Sequence, residues 1–260
     1  MIHWNVSPDI FSIGPITIRW YGLLFALSFI IGYQLGVVIF KKEQKSEDEL
    51  NDLVWYMILG TVIGARLGHC LFYNPHYYLT NPLEILQVWK GGLASHGAAL
   101  GILISIFLYV HNRKGMTFLW VMDRVVITVA LSGFFIRMGN LFNSEIIGKP
   151  TNASWGFIFD AVDNVPRHPA QLYESIAYLL IFVFLLVLYF KTKGKTKPGL
   201  IFGLFLILVF LFRFFIEFLK ENQSYFENGM ALNMGQLLSI PFILLGIYML
   251  FRKEKKLIKI

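Results

Sequence analysis

Seven apolar segments, each about as long as a membrane-spanning helix, constrain this sequence more than any other feature. A helix needs about 20 mostly apolar residues to cross a bilayer. Such segments occupy residues 18–40, 53–72, 93–110, 119–135, 172–190, 200–219 and 234–251. Only 15% of the 260 residues are charged, whereas a soluble domain carries roughly a quarter. We therefore predict an all-α integral membrane protein with seven transmembrane helices, in a single polytopic membrane domain over residues 1–260.

Two of the seven segments carry groups that lipid would not accommodate. The third begins with the small and polar stretch GGLASHGAALG, and the fourth contains Asp123 and Arg124. Because unsatisfied polar groups facing lipid are costly, we predict that both helices are buried among the others. The N-terminal residues lack the features of a signal peptide, so we expect them to form a retained, ordered segment.

The basic residues predict the orientation of the spans. Fourteen of the 23 lysines and arginines lie in alternate connections, at residues 41–52, 111–118, 191–198 and 252–260. Because cytoplasmic loops are enriched in Lys and Arg, the N-terminus is predicted to lie outside and the C-terminus in the cytoplasm. The net charge of +7 is then mainly a topology signal with an attraction for anionic membrane lipids, and it does not indicate nucleic-acid binding.

The connections on the predicted outer face are longer and different in composition. Residues 73–92 and 136–171 are rich in Trp, Tyr, Asn, Gly and Pro, and we predict that they form ordered outer-face loops. Loops longer than about 15 residues are usually functional. Cys70 is the only cysteine, and the six histidines form no HxxxH or HExxH pattern. We therefore predict neither a disulfide nor a bound metal, and no other cofactor.

The densest group of polar residues lies in IRMGNLFNSEIIG, residues 136–148. Arg137 and Asn140 are three residues apart, so they share a face of a helix, and Asn143 and Glu145 follow. Gly148 permits a close backbone approach. An arginine at membrane depth costs about 2.5–3.5 kcal/mol, and its planar fork matches phosphate oxygens. The segment predicts an anion-binding site, and the alternative is a structural Arg–Glu pair at a helix end.

Two further groups have both a functional and a structural interpretation. Arg213 and Glu217 are four residues apart on an aromatic helix, and alone they are typical of an intrahelical ion pair. At membrane depth such a pair would still need a polar cavity. His96 lies among Gly and Ala residues that leave room for a ligand, and it could move a proton near neutral pH. A histidine that is satisfied within the core is the alternative.

Other polar residues have a usual structural role. Trp20 and Tyr21, at the end of the first span, are typical interfacial anchors. Gln171 and Glu174 follow Pro169, and they either face inward or cap the first helical turn, which is the more common role. Arg66, in GARLGH, is likewise open to a structural interpretation.

These motifs resemble those of one family, the prolipoprotein diacylglyceryl transferases. Residues 136–148 are similar to the family signature GRxGNFxNxExxG. Five further family motifs resemble stretches of this chain. They are HGG at residues 96–98, WYG at 20–22, RHPxQLYE at 167–174, RFxxEF at 213–218 and MGQxLS at 234–239. The similarity spans nearly the whole chain. The chain departs from the family pattern at Ile136, Leu141 and Ala98, which replace the Gly, Phe and second Gly of the motifs.

The resemblance implies transfer of the sn-1,2-diacylglyceryl group of phosphatidylglycerol to the lipobox Cys of a prolipoprotein signal peptide, with release of glycerol-1-phosphate. It implies a multi-pass protein of the bacterial inner (plasma) membrane, whose partners are phosphatidylglycerol, prolipoprotein signal peptides and membrane lipids. The implied catalytic residues are His96, Arg137, Arg213 and Tyr21. The implied headgroup-binding residues are Arg137, Asn140, Asn143, Glu145, Gly148, Arg213 and Glu217.

The residue types suit this chemistry. Arg137 and Arg213 would bind an anionic headgroup and stabilise charge on the leaving phosphate. A substrate thiol has a pKa near 8.5, so a base would help to form the thiolate. His96 is the most base-like candidate, and Tyr21 and Glu145 are alternatives. The competing class is a transporter or channel for an anionic solute, which intramembrane arginines alone would permit. The lack of an internal repeat disfavours it.

Overall fold

A computed structural model describes residues 1–14, 16–111, 113, 115–222, 227 and 229–253. Within these residues the chain is mainly helical, with short 3₁₀ turns and five short strands. The helices are α1 Trp20–Lys42, α2 Glu47–Tyr73, α3 Pro75–Thr80, α4 Ser95–His111, α5 Phe118–Phe142, α6 Ala170–Lys191, α7 Leu200–Ile216 and α8 Met234–Phe251. The strands are β1 Ile2–Trp4, β2 Asp9–Ile13, β3 Ile16–Arg19, β4 Phe157–Phe159 and β5 Pro166–Arg167.

The apolar segments form helices of membrane-spanning length. In the described part of the chain, six helices are long and apolar enough to cross a bilayer, counting the 3₁₀ turn Glu217–Leu219 as part of the span that begins with α7. The third predicted segment forms α4, which has 17 residues and is shorter. In each of these six helices, at most 50% of the most apolar 18-residue stretch is buried inside the protein. The apolar surface of the helices therefore mostly faces outward. This arrangement fits an integral membrane protein.

Several predicted boundaries change because local signals extend the helices. α2 begins at Glu47, six residues before the apolar run, because Ser46 and Glu49 form a capping box. α5 continues to Phe142, so the start of the segment predicted as the loop 136–171 is helical. The predicted loop 73–92 contains α3 and the 3₁₀ turns Pro82–Leu86 and Val88–Lys90. The strands also show that the prediction of an all-α chain was incomplete.

The chain divides into two compact units. The first comprises residues 1–35 and 122–260, and the second comprises residues 36–121. In the first unit, β1 pairs in parallel with β4, and β4 pairs in antiparallel with β5. Leu141, Phe157 and Phe159 form a buried core cluster beside this sheet, and Trp4 packs against it. The end of α5 is therefore attached to the sheet through Leu141.

Asp123 is buried in α5 and has a structural role in the first unit. Its carboxylate accepts hydrogen bonds from the backbone N–H groups of Gly199 at 2.7 Å and Phe202 at 2.8 Å. These donors lie at the N-terminus of α7, where N–H groups lack partners within the helix. Arg124 is also buried, and it donates to the carbonyl of Gly194 at 3.3 Å. The predicted burial of these two charged residues is confirmed.

In the second unit, α2 and α4 approach each other closely through glycines. A Cβ atom placed on Gly64 would lie 2.8 Å from the Cα atom of Gly101. A Cβ atom on Gly68 would lie 2.7 Å from the Cα atom of Gly97. Side chains larger than hydrogen would separate the two backbones, so the small residues of GGLASHGAALG serve helix packing, as they do in many membrane proteins.

Candidate active site

The last turns of α5 place Arg137 and Asn140 on one face, as their spacing predicts. The Nη1 of Arg137 donates to the Oδ1 of Asn140 at 3.2 Å. The Nδ2 of Asn140 then donates to the Oε1 of Glu145 at 2.7 Å. Asn143 lies beyond the end of the helix, and its amide donates to the same oxygen at 3.3 Å. The two asparagines thus hold the Glu145 carboxylate next to the arginine-bearing helix.

The loop that carries Glu145 has a strained backbone. Ser144 has a φ of 53° and Ile146 a φ of 58°, so both flanking residues are left-handed. This region is unfavourable for a β-branched side chain such as that of Ile146. The loop is fixed by Gln171, whose Nε2 donates to the carbonyl oxygen of Glu145 at 2.6 Å. Strain that surrounding contacts maintain in this way is typical of functional sites.

Arg137 pairs with Glu174, whose position after Pro169 is more typical of a helix cap. The Nε of Arg137 lies 3.2 Å from the Oε2 of Glu174, whose side chain is fully buried. Arg137 also donates a hydrogen bond to Tyr178. The N-cap of α6 is Pro169, and it makes no side-chain cap hydrogen bond. The capping prediction for Gln171 and Glu174 was therefore wrong, because both side chains face inward and bind residues of the 136–148 segment.

Arg213 and Glu217 are close, but Glu217 has nearer partners. The Nε of Arg213 lies 3.8 Å from the Oε1 of Glu217. The Nζ of Lys220 donates to that same oxygen at 2.7 Å, and the Nδ2 of Asn233 donates to Oε2 at 3.0 Å. Glu217 begins a 3₁₀ turn after α7, which brings Lys220 under the carboxylate. The predicted intrahelical ion pair exists, as one part of a larger cluster.

Lys220 joins the two carboxylates. Its Nζ lies 2.7 Å from Glu217 and 3.8 Å from the Oε1 of Glu174. The contacts therefore produce a row of alternating positive and negative charges, which we call the charge row. Its members, in order, are Arg137, Glu174, Lys220, Glu217 and Arg213. Lys220 directly follows the predicted span 200–219, and the sequence did not assign it to the site. Its position three residues after Glu217 was the available signal.

Gly148 is required by backbone packing. Its N–H donates to the carbonyl of His168 at 3.0 Å, and it forms an isolated β-bridge with Lys220. A Cβ atom on Gly148 would lie 2.6 Å from the Cβ atom of His168 and 2.9 Å from the carbonyl oxygen of Leu219. The structure thus gives Gly148 a positioning task, because it lets the backbone carrying Lys220 approach closely.

Tyr21 packs against the same helix end. A Cβ atom on Gly139 would lie 2.7 Å from the Cδ2 of Tyr21, so the ring lies directly on the backbone of α5. The hydroxyl group lies within the electrostatic influence of Glu145 and Arg137. Trp20 stacks on Phe142, with ring centroids 4.9 Å apart. Tyr21 therefore belongs to the polar cluster, and Trp20 packs on the end of α5.

His96 and Arg66 lie in the second unit. His96 is exposed in the first turn of α4. Arg66 is buried in α2, and it donates to the carbonyl oxygens of Glu84, Ile85, Gly91 and Gly92 at 2.5–3.3 Å. Its guanidinium also lies over the ring of Tyr78, 5.1 Å from the centroid. Arg66 thus has the structural role that the sequence left open, because it fixes the segment between α2 and α4.

A second ion-pair group lies outside the spans, in the first unit. The Nη2 of Arg167 donates to the Oδ2 of Asp163 at 2.6 Å, and Nη1 contacts Glu221. The hydrogen bond from Arg167 holds the pKa of the Asp163 carboxyl below its usual value, and that bond also raises the pKa of Arg167. Nη1 also donates to the carbonyl of Gly148 at 3.4 Å. This group connects the β5 region to the bridge at Gly148.

The first unit therefore brings most of the predicted site residues into one neighbourhood: Tyr21, Arg137, Asn140, Asn143, Glu145, Gly148, Arg213 and Glu217. It adds four that the sequence did not assign to the site, namely Glu174, Tyr178, Lys220 and Asn233. His96 belongs to the other unit. Among the described residues, no group of three or more His, Cys, Asp or Glu side chains could hold a metal ion.

The six helices of spanning length indicate a multi-pass membrane protein, and comparison with known proteins identifies its family. A sequence model described as prolipoprotein diacylglyceryl transferase matches residues 8–252. This chain belongs to that family, whose members are enzymes of the transferase class.

Three bacterial relatives illustrate the similarity, and each is named phosphatidylglycerol–prolipoprotein diacylglyceryl transferase. The chain is 52% identical over 255 residues to the relative from Chloroherpeton thalassium, and the alignment covers 98% of this chain and 95% of the relative. It is 48% identical over 256 residues to that from Tolumonas auensis, with coverage of 98% and 99%. It is 48% identical over 267 residues to that from Bacteroides fragilis, with coverage of 98% and 96%.

Proposed function

We propose that this protein transfers the sn-1,2-diacylglyceryl group of phosphatidylglycerol to the lipobox Cys thiol of a prolipoprotein signal peptide. A thioether forms, glycerol-1-phosphate leaves, and lipoprotein maturation begins with this step. The observation that carries the proposal is the buried charge row beside Asn140 and Glu145, on a chain that belongs to the transferase family. A row with two arginines suits an anionic lipid headgroup.

Arg137 and Arg213 have the proposed task of binding the phosphodiester. The contacts of Arg137 with Asn140, Glu174 and Tyr178 occupy at most three of its five N–H groups within the described residues. The side chain of Arg213 is 36% exposed and is held only loosely by Glu217. Both guanidinium groups can therefore donate to phosphate oxygens, where negative charge grows as the C–O bond breaks.

The remaining residues have proposed orienting roles. Asn140, Asn143 and Glu145 form a hydrogen-bonded group whose oxygens and N–H groups suit the hydroxyls of a glycerol headgroup. Glu217 holds Arg213 and Asn233, and Gly148 permits the close backbone approach beside them. These contacts would fix the headgroup phosphate so that the diacylglyceryl carbon bonded to its ester oxygen faces the incoming sulfur.

The thiol proton needs an acceptor. The sulfur forms a bond to the glyceryl carbon, the phosphate oxygen leaves with the electron pair of the broken C–O bond, and the proton passes to a base. We assign His96 to this role on the ground of its residue type. Tyr21 and Glu145 are the alternatives, and both lie near Arg137 in the first unit.

The same proposal includes the placement of the chain in the membrane. The chain would be one membrane domain with seven spans, in which α4 is the seventh beside the six longer ones. The N-terminus would lie outside and the C-terminus in the cytoplasm of a bacterial inner membrane. The basic residues of the alternate connections support this orientation.

The test uses purified protein, a lipobox peptide and defined lipids. With phosphatidylglycerol, we expect the peptide mass to increase by one diacylglyceryl group and glycerol-1-phosphate to appear in equal amount. A peptide whose lipobox Cys is replaced by Ser should stay unmodified. The proposal fails if the peptide is unmodified while liposomes containing the protein conduct an anionic solute, since that result would indicate a transporter.

A further inference from the structure

The charge row contains one lysine that the proposed chemistry does not use. Lys220 has only 1% of its side chain exposed, although lysine is almost never buried without partners. Its ammonium group lies between Glu217, at 2.7 Å, and Glu174, at 3.8 Å. Both carboxylates are also buried. Lys220 is thus the only described cation of the row that contacts both acids.

The backbone fixes Lys220 in this place. Its N–H donates to the carbonyl of Glu217 at 3.3 Å, and the residue forms the β-bridge with Gly148. On the neighbouring segment, the N–H of Lys149 donates to the carbonyl of Leu219 at 2.7 Å. These contacts hold the backbone of Lys220, and two carboxylates lie beside its ammonium group. The side chain therefore has little freedom, and the ammonium group acts as a fixed point charge.

Lys220 determines the charge balance of the row. Without its charge, the row would hold two arginines and two carboxylates, and each guanidinium would be committed to one acid. With it, the row has three positive and two negative groups, which leaves one net positive charge among largely buried groups. A phosphodiester headgroup carries one negative charge. The surplus in the row therefore matches the charge of such a ligand.

The distances show how the charge is shared. Glu217 lies nearer to Lys220, at 2.7 Å, than to Arg213, at 3.8 Å. The lysine therefore neutralises most of the Glu217 charge and leaves the Arg213 guanidinium only loosely held. On the other side, Glu174 is shared by Lys220 and Arg137. An arginine that does not have to neutralise a whole carboxylate keeps N–H donors for a ligand.

We propose that Lys220 is a positioning residue for the lipid phosphate. By neutralising Glu174 and Glu217 from within the protein, it leaves Arg137 and Arg213 available to bind a monoanionic phosphodiester. Lys220 itself does not contact the lipid. This inference rests on the proposed function, and it assigns to one residue the electrostatic balance that binding requires.

The test is the replacement Lys220→Met, which removes the charge and keeps a long side chain. Changing a residue of a packed network that does not itself touch the ligand alters binding by up to about 30-fold. We therefore expect the KM for phosphatidylglycerol, measured against its mole fraction in detergent micelles, to rise by about that factor with a much smaller change in kcat. Lys220→Arg should restore most of the affinity, because it returns the charge.

Lys149→Met is the matched control. Lys149 is exposed on the adjacent segment, and its Nζ donates only to the carbonyl of Phe218 among the described residues, at 3.0 Å. Its loss removes one lysine from the same region without altering the charge row. We expect the KM of this variant to equal that of the unmodified protein.

A double variant separates charge balance from packing. Lys220→Met with Glu174→Gln again has one surplus positive charge, so its KM should recover relative to Lys220→Met alone. An unchanged KM in Lys220→Met would overturn the inference. If Lys220→Met does not fold, the folded double variant decides, and a KM still raised about 30-fold there would count against the inference. If even the unmodified protein transfers no lipid, the proposed function has failed instead.

Discussion

Arg66 and Arg137 are both arginines within long helices, but different acceptors surround their guanidinium groups. Arg66, in the second unit, is 4% exposed and donates to four backbone carbonyls. Arg137, in the first unit, contacts a carboxylate, a side-chain amide and a phenol. Backbone carbonyls are fixed and neutral, whereas Glu174 is charged and shared with Lys220.

The comparison separates a structural arginine from one that is suited to bind a ligand. The carbonyls around Arg66 use its donors and hold a segment of chain in place, so little of its hydrogen-bonding capacity remains. Arg137 and its partner Glu174 belong to a row with one surplus positive charge, and the contacts of Arg137 leave some of its N–H donors unused within the described residues. Burial alone therefore does not distinguish the two roles, whereas the chemistry of the acceptors does.

The largest expected effect is that of Arg137→Ala. Because the guanidinium stabilises charge on the leaving phosphate, its loss should reduce the transfer rate by about 10²–10³-fold or more. The protein should still insert and show the helix content of the unmodified chain by circular dichroism. Lipidation of the peptide is measured by mass spectrometry. Normal transfer by this variant would show that Arg137 is not needed to bind the lipid, and the proposed difference in role between Arg137 and Arg66 would be wrong.

The replacement His96→Gln tests whether the second unit supplies more than structure. If His96 accepts the thiol proton, transfer should slow by about 10²-fold, the usual contribution of a positioned base. The rate is best compared at pH 7 and at pH 9, since a more alkaline solution would partly replace a lost base. A near-normal rate at pH 7 would make His96 structural and leave Tyr21 or Glu145 as the base.

The replacement Arg66→Met should lower the thermal stability of the protein. Each buried carbonyl that loses its donor costs about 1–3 kcal/mol, so the thermal unfolding temperature in detergent should fall clearly. The KM for phosphatidylglycerol of the protein that stays folded should change little. Unfolding is followed by circular dichroism and the KM by the lipidation assay. A variant with normal stability and a raised KM would show that Arg66 binds the lipid.

The smallest effect is expected at the ion pair outside the spans. The pKa of Asp163 is lowered chiefly by the hydrogen bond from Arg167. A lowered folded-state pKa stabilises the protein above the ordinary value near 3.9, and this contribution is lost as the pH falls through the folded pKa.

Asp163→Asn removes that contribution. The variant should therefore unfold at a slightly lower temperature at pH 7, and the difference should shrink as the pH falls below about 4 and through the lowered pKa of Asp163. The effect is small because water screens the exposed carboxylate. Melting curves of both proteins between pH 3 and pH 7 measure it. A difference that grows on acidification would contradict the assigned cause.

Periodicity and spacing predicted much of this structure. The apolar runs predicted helices of spanning length, and the three-residue spacing of Arg137 and Asn140 predicted that they share a face of a helix, on which they are hydrogen-bonded. Glu174 escaped assignment because its partners Arg137 and Lys220 are distant in the chain, and the local pattern favoured a cap. Lys220 escaped it because the residue directly follows the predicted span, although Glu217 is only three residues away. The strands β4 and β5 were missed since each has at most three residues, which is too short for a periodic signal.

The order of the charge row along the chain bears on how the protein enters the bilayer. An ionisable residue in an inserted helix costs about 2.5–3.5 kcal/mol. Arg137 lies in α5 and Glu174 in α6, the next long helix, so this hairpin can enter with its charges paired. Glu217 and Lys220 lie on one turn and neutralise each other locally. Biogenesis can therefore proceed in two stages, of which the first is balanced and the second keeps the surplus positive charge of Arg213. The complete row forms only when the later segment docks on the earlier one.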